Sequence, residues 1–130
     1  MERLPLSATD DQLIEFADRW AALMEQENYE GAFAFTGHVP EMKWSPSLVR
    51  DVIKAYDRRD PAQRVTVYGE PTDITQRKEV SRWARNRRGE IAEIWYDLNI
   101  DGLASDLTAT FVVVETDAGL EIKLNEIHVM

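Results

Sequence analysis

The chain has 130 residues, no cysteine and a net charge of -9. That length accommodates one domain with its own core, and the expectation is a single domain over 1–130. The missing thiols exclude disulfides, thiolate metal sites and a cysteine nucleophile, while the negative charge argues against general nucleic-acid binding and suits a basic partner.

Thr9 and Gln12 have the spacing of a capping box, and Asp10 and Asp11 favour the N-terminal dipole of the helix that begins there. Leu13, Phe16, Ala17, Trp20, Leu23 and Met24 then recur at helical spacing, and Asn28 is the expected stop. A short second helix is expected over Tyr29–Phe35. Gly37 and Pro40 break the chain into a loop. Ser45 as cap and Pro46 at the first helical position start a third helix, with Leu48, Val49, Val52, Ile53 and Tyr56 on its apolar face and Asp60-Pro61 as its end.

From residue 64 the period changes to two. Strands are predicted over 64–69, 79–85, 90–101, 106–116 and 120–130, joined at Arg87-Arg88-Gly89, Asp101-Gly102 and 116–119. In the third strand Ile94, Tyr96, Leu98 and Ile100 share one face, and Glu93, Trp95, Asp97 and Asn99 the other. The fourth has Leu107, Ala109, Phe111 and Val113 on one face; Thr108, Thr110, Val112 and Val114 on the other imply cover on both sides. Helices followed by antiparallel strands make an α+β order.

The last strand breaks its own alternation. Leu120, Ile122 and Leu124 share a phase, then Ile127 and Val129 shift it, leaving Glu126 and His128 on the phase that was buried. Two readings are open. With a bulge at Asn125 or Glu126, Ile127 faces inward and both polar groups face out. With a straight strand, a carboxylate and an imidazole point into the protein and need partners there.

The helix FADRWAALMEQENYEGAFAF, the helix SPSLVRDVIKAY and the strands LTATFVVVETDAGLEIKLNEIHVM together resemble the nuclear-transport-factor-2-like superfamily, also described as cystatin-like or ketosteroid isomerase-like. The resemblance spans nearly the whole chain. It implies a cone-shaped fold: about three N-terminal helices on the concave face of a curved, mainly antiparallel sheet of about five strands. It also implies a pocket between the two layers and dimerisation through the sheet. Members of the superfamily include isomerases, cyclases, epoxide hydrolases, transport factors and bacterial immunity proteins, so the resemblance points to no single activity.

Isomerase or cyclase chemistry needs a carboxylate or imidazole base in an apolar pocket, with donors for a developing oxyanion. His128, Glu126, Asp97 and Glu93 are the candidate bases; Tyr29, Tyr56 and Tyr96 are the candidate donors. Trp20, Trp44, Tyr56 and His128 are the candidate pocket residues. The structural alternative is plain for each: Trp20 belongs to a core stripe, and Asp97 and Glu93 lie on the strand face opposite the apolar one. An aromatic among charges on a sheet face suits an interface, which makes Trp95 and Asp97 interface candidates, with Trp83 and Arg85 of the arginine-rich stretch 77–90. The alternative for that stretch is a charged edge hairpin paired with acidic helices. His38 and His128 are the only histidines, and nothing in their spacing joins them; no metal or cofactor is expected.

No stretch approaches the roughly 20 apolar residues of a membrane span, and the N-terminal segment lacks the apolar region of a signal peptide, so the expected location is cytoplasmic. The expected function is a non-catalytic interaction or binding module, dimeric through its sheet, with an immunity-type role against a basic protein as one form. The alternative is a cofactor-independent isomerase, cyclase or hydrolase, or a binder of a small apolar ligand. The concave face separates them. A face filled by Trp, Phe and Leu favours interaction; an open apolar cavity with converging Asp, Glu, His or Tyr favours the pocket.

Overall fold

A computed structural model describes residues 1–129. Three helices, α1 (Asp10–Glu25), α2 (Tyr29–Phe35) and α3 (Pro46–Lys54), pack against one face of a curled, mainly antiparallel sheet. The strands are β1 (Arg3–Leu4), β2 (Gly37–His38), β3 (Val65–Thr66), β4 (Lys78–Arg82), β5 (Glu90–Ile100), β6 (Leu103–Thr116) and β7 (Gly119–Val129). The α+β class and the layering match the expectation. The sheet is five strands wide: β7, β6 and β5 form its centre, β1 and β2 share the outer edge of β7, and β3 and β4 share that of β5. Among these strands of the described residues, β2 pairs in parallel and the rest antiparallel.

Local signals explain most boundaries. Thr9 and Gln12 form the capping box, and Ser45 accepts from the Leu48 amide with Pro46 behind it. Asn28 does not end α1. That helix stops at Glu25, Glu27 turns it off in the left-handed region, and Asn28 caps α2 by accepting from the Gly31 amide. The β5–β6 turn is a two-residue hairpin with positive φ at both Asp101 and Gly102, the conformation that matches the twist of paired strands.

Strand ends moved where tertiary partners took over the backbone. The expected strand over 64–69 pairs only at Val65–Thr66. Beyond it the Val67 amide donates to Glu25 and the Val67 carbonyl accepts from Asn99, so the chain leaves the sheet. β4 stops at Arg82 rather than residue 85, and α3 ends before Tyr56. β6 begins at Leu103, three residues early, because the tight turn pairs Leu103 with Ile100 at once. β1, β2 and a 3₁₀ turn at Pro40–Met42 were not expected. Two-residue strands carry no periodicity to read. Met130, included in the expected last strand, lies outside the described residues.

The core lies between α1 and the sheet. Leu13, Phe16, Trp20 and Met24 meet Ile94, Leu98, Phe111, Ile122 and Leu124, all with almost no exposure. Trp20 meets the Phe111 ring edge-on at 5.2 Å, a favoured aromatic geometry. The concave face is therefore filled by large apolar side chains.

Candidate functional site: the outer face of the sheet

The final strand settles the direction of Glu126 and His128. β7 bulges at Asn125: Phe111 pairs with Leu124, and Thr110, the next residue along β6, pairs with Glu126. The extra residue resets the phase, so Ile127 is buried against the helical layer. Glu126 and His128 emerge on the opposite face, each about half exposed. The bulge leaves the Asn125 carbonyl without a ladder partner, and the Trp44 indole N–H donates to it at 3.0 Å. Trp44, expected to wall a pocket, is instead buried and secures the bulge.

Register then assembles the outer face. Across β5, β6 and β7 the rows read Asp97, Thr108, His128; Trp95, Thr110, Glu126; and Glu93, Val112, Lys123. Thr108, Thr110, Val112 and Val114 are buried along the middle of this face. Polar neighbours cap the two threonines: Thr108 donates to Asp97 at 2.9 Å, and Asn125 donates to Thr110 at 3.3 Å.

Asp97 is the centre of the most hydrogen-bonded part of this face. Its carboxylate accepts from the Trp95 indole at 2.8 Å, the Thr108 hydroxyl at 2.9 Å and the Arg77 amide at 2.9 Å. The Arg77 guanidinium lies 4.3 Å from the centroid of the Trp95 ring, within reach of a cation–π attraction. A carboxylate holding three donors is a fixed acceptor that organises Trp95, Thr108 and the Arg77 backbone.

Glu93 and Glu126 differ from Asp97 in lacking such a set of donors. Burial, and then the charge of Glu126, push the Glu93 carboxyl above its ordinary range. His128 Nε2 lies 3.0 Å from a Glu126 carboxylate oxygen but out of line for a hydrogen bond, since that nitrogen is buried with no partner in correct geometry. The pair lies on the outer sheet face, opposite Thr110 and Thr108 of β6.

The other candidates lie apart. Trp20 is in the core with its indole N–H unpartnered. The Tyr56 hydroxyl donates to Asp106 at 2.6 Å; burial and that bond raise its pKa. The Tyr29 hydroxyl donates to Glu27 at 3.3 Å. Tyr96 is buried under α1, donates to Asp18 at 2.5 Å and is held well above its usual range by burial and that partner. Trp83 and Arg85 lie on the hairpin beyond β4. The Trp83 indole donates to the Glu90 carbonyl, and Arg85 stands 3.6 Å from Glu115. The cations of this stretch that reach the helical layer pair with acids of α1, Lys78 with Asp18 at 2.8 Å and Arg82 with Asp10 at 2.6 Å. The structure thus separates Trp20, Trp44, Tyr56 and His128, and it brings together Trp95, Asp97, Glu93, Glu126 and His128.

Sequence reasoning missed Arg77, Thr108, Asn125 and Asp18 as members of these networks. Each is an ordinary polar residue until register or helix docking supplies its neighbour. Only the phase change in β7 signalled Asn125. His38, left in a loop by sequence, pairs in β2 and stacks on Phe33, its pKa lowered by burial.

Among the described residues, no group of three or more His, Cys, Asp or Glu is placed to hold a metal ion. No helix there is long and apolar enough to cross a membrane. A family model described as a domain of unknown function, DUF7668, matches residues 21–130. No curated protein and no solved structure matches the chain.

Proposed function

We propose that this chain, which belongs to the DUF7668 family, is a non-catalytic interaction module of the cone-shaped, nuclear-transport-factor-2-like kind, cytoplasmic, whose outer sheet face pairs with a second copy. The observation that carries this reading is the division of labour between the two sheet faces. The concave face is filled by Trp20, Phe16, Phe111 and Leu13, which supports interaction over chemistry between the layers. The outer face carries a rigid Trp95 over an apolar and hydroxyl strip, with charges on its flanks. Aromatic anchors over a largely apolar centre, rimmed by charge, are the usual anatomy of an interface.

Charge favours a second copy as the occupant. The acids Glu93 on β5 and Glu126 on β7 flank the β6 strip, and so do the cations, Arg77 beside β5 and Lys123 on β7. A two-fold axis along β6 exchanges those two sides, and each rim then offers a cation to the other subunit's acids. An immunity-type role against a basic protein is compatible with this arrangement.

Sedimentation equilibrium tests the reading. The wild type is expected to be a dimer at tens of micromolar, and Trp95→Ala and Glu126→Arg are each expected to weaken it at least about tenfold. A wild-type monomer at about 100 μM, well below the affinity range of stable complexes, sinks the proposal.

A further inference from the structure

A groove of about 260 Å³ lies between the chain that follows α3 and the β5–β6 turn. It shares no residue with the outer face, so its occupancy is independent of the pairing of that face. Ile100 and Ala104 form an apolar floor, each less than a tenth exposed. Tyr56 walls one side, and Leu103 stands half exposed at the lip. Asp57, Asp60 and Asp101 supply the charge.

The three carboxylates are not equivalent. Asp57 pairs with Arg59 at 3.1 Å. Among the described residues, no Lys or Arg side chain comes within 4.0 Å of Asp60 or Asp101. The fold fixes Asp101 in place: its carboxylate accepts from the Arg64 amide at 3.1 Å, and its own amide donates to the Arg64 carbonyl at 3.0 Å. The neighbouring Asp101 carboxyl, with burial, holds the Asp60 carboxyl above its ordinary range. Asp60 and Asp101 thus border an apolar floor with no cationic side chain of the described residues against them.

We propose that this groove docks an arginine or lysine side chain from a basic segment of a protein partner. The stem lies on Ile100, Leu103 and Ala104, and the charged head reaches Asp60 and Asp101. Long cationic side chains bury their methylenes on apolar surface while their heads stay with polar groups. The apolar floor gives a small hydrated cation nothing, which favours a side chain over a free ion. The net charge of -9 steers a basic segment toward the protein, and the groove supplies the local fit.

The test is an amide NMR titration of the full chain with the peptide acetyl-Gly-Arg-Gly-Arg-Gly-amide, and with its citrulline analogue, which keeps the shape and loses the charge. Asp60→Asn/Asp101→Asn is the groove variant. Asn keeps the acceptor for the Arg64 amide and tolerates the positive φ at 101, and an unchanged thermal midpoint verifies that it folds. Asp11→Asn/Asp117→Asn removes the same charge elsewhere. Saturable shifts at 56–63 and 100–105 are expected with the arginine peptide. They should weaken at least about tenfold with citrulline or the groove variant, and stay unchanged in the control. Leu103→Ser is expected to weaken binding several-fold through the stem contact. Shifts spread over the acidic surface, equal losses in both double variants, or no saturable shift up to about 5 mM peptide each overturn the proposal.

Discussion

Asp97 organises the outer face through three accepted hydrogen bonds, and Asp97→Asn puts a number on that role. The carboxylate accepts from three donors: the Trp95 indole, the Thr108 hydroxyl and the Arg77 amide, at 2.8, 2.9 and 2.9 Å. An asparagine in its place has one acceptor oxygen and turns an N–H₂ group toward the remaining donors. The Thr108 hydroxyl can rotate and accept, so its bond survives in weaker form. One of the two N–H donors cannot. Hydrogen bonds to charged groups contribute about 1.5–3 kcal/mol each, and a stranded half-buried donor adds a desolvation cost. Discounting for the half-buried site, the expected loss is about 2–3 kcal/mol. For a domain of this size that is about 6–12 °C in thermal midpoint. Urea unfolding followed by Trp fluorescence measures it. The Trp95 amide and indole resonances should also broaden or shift as the side chain loses its anchor. If Asp97→Asn unfolds within about 0.5 kcal/mol of wild type, the range of an ordinary surface change, the network does not hold the outer face together.

Two further variants test neighbouring contacts. Glu93 has a raised pKa, so the folded state binds its proton more tightly than the unfolded chain does. Below the ordinary carboxyl value of 4.5 both states are protonated and the group has no effect; as pH rises from there through the raised value, it becomes destabilising. Glu93→Gln is therefore expected to raise the thermal midpoint at pH 7 and to leave it nearly unchanged at pH 4, and equal shifts at both values contradict burial as the cause. Trp44→Phe strands the bulge carbonyl of Asn125 in a buried position and is expected to cost about 2–4 kcal/mol, the unsatisfied acceptor plus lost ring volume. Calorimetry reads the loss, and amide shifts confined to the β7 bulge locate it.

The sequence by itself determined the layers and much of their local detail. Capping residues, the Asp-Gly turn and the two periodicities act through neighbours a few positions away, so α1, α3, β5 and β6 were legible from residues that touch in sequence. The broken phase at Asn125 was legible too, because a bulge is a one-residue change of count. The sequence left open which way the break resolved. Only the tertiary structure decided that, since the cost of burying Glu126 and His128 depends on partners that register and packing bring. The same holds for the candidate site. Trp20 and Trp44 look alike as pocket aromatics until α1 docks on Phe111 and the Asn125 carbonyl reaches the Trp44 indole. Asp97 looks like a base until Arg77, Trp95 and Thr108, drawn from the approach to β4, from β5 and from β6, converge on it. Asp60 and Asp101 are 41 positions apart in the chain, and they line one groove only because the segment after α3 closes against the β5–β6 turn. Periodicity assigns a side chain to a face. Which charges meet on that face is set by long-range register and docking, and there the fold supplies what spacing alone does not encode.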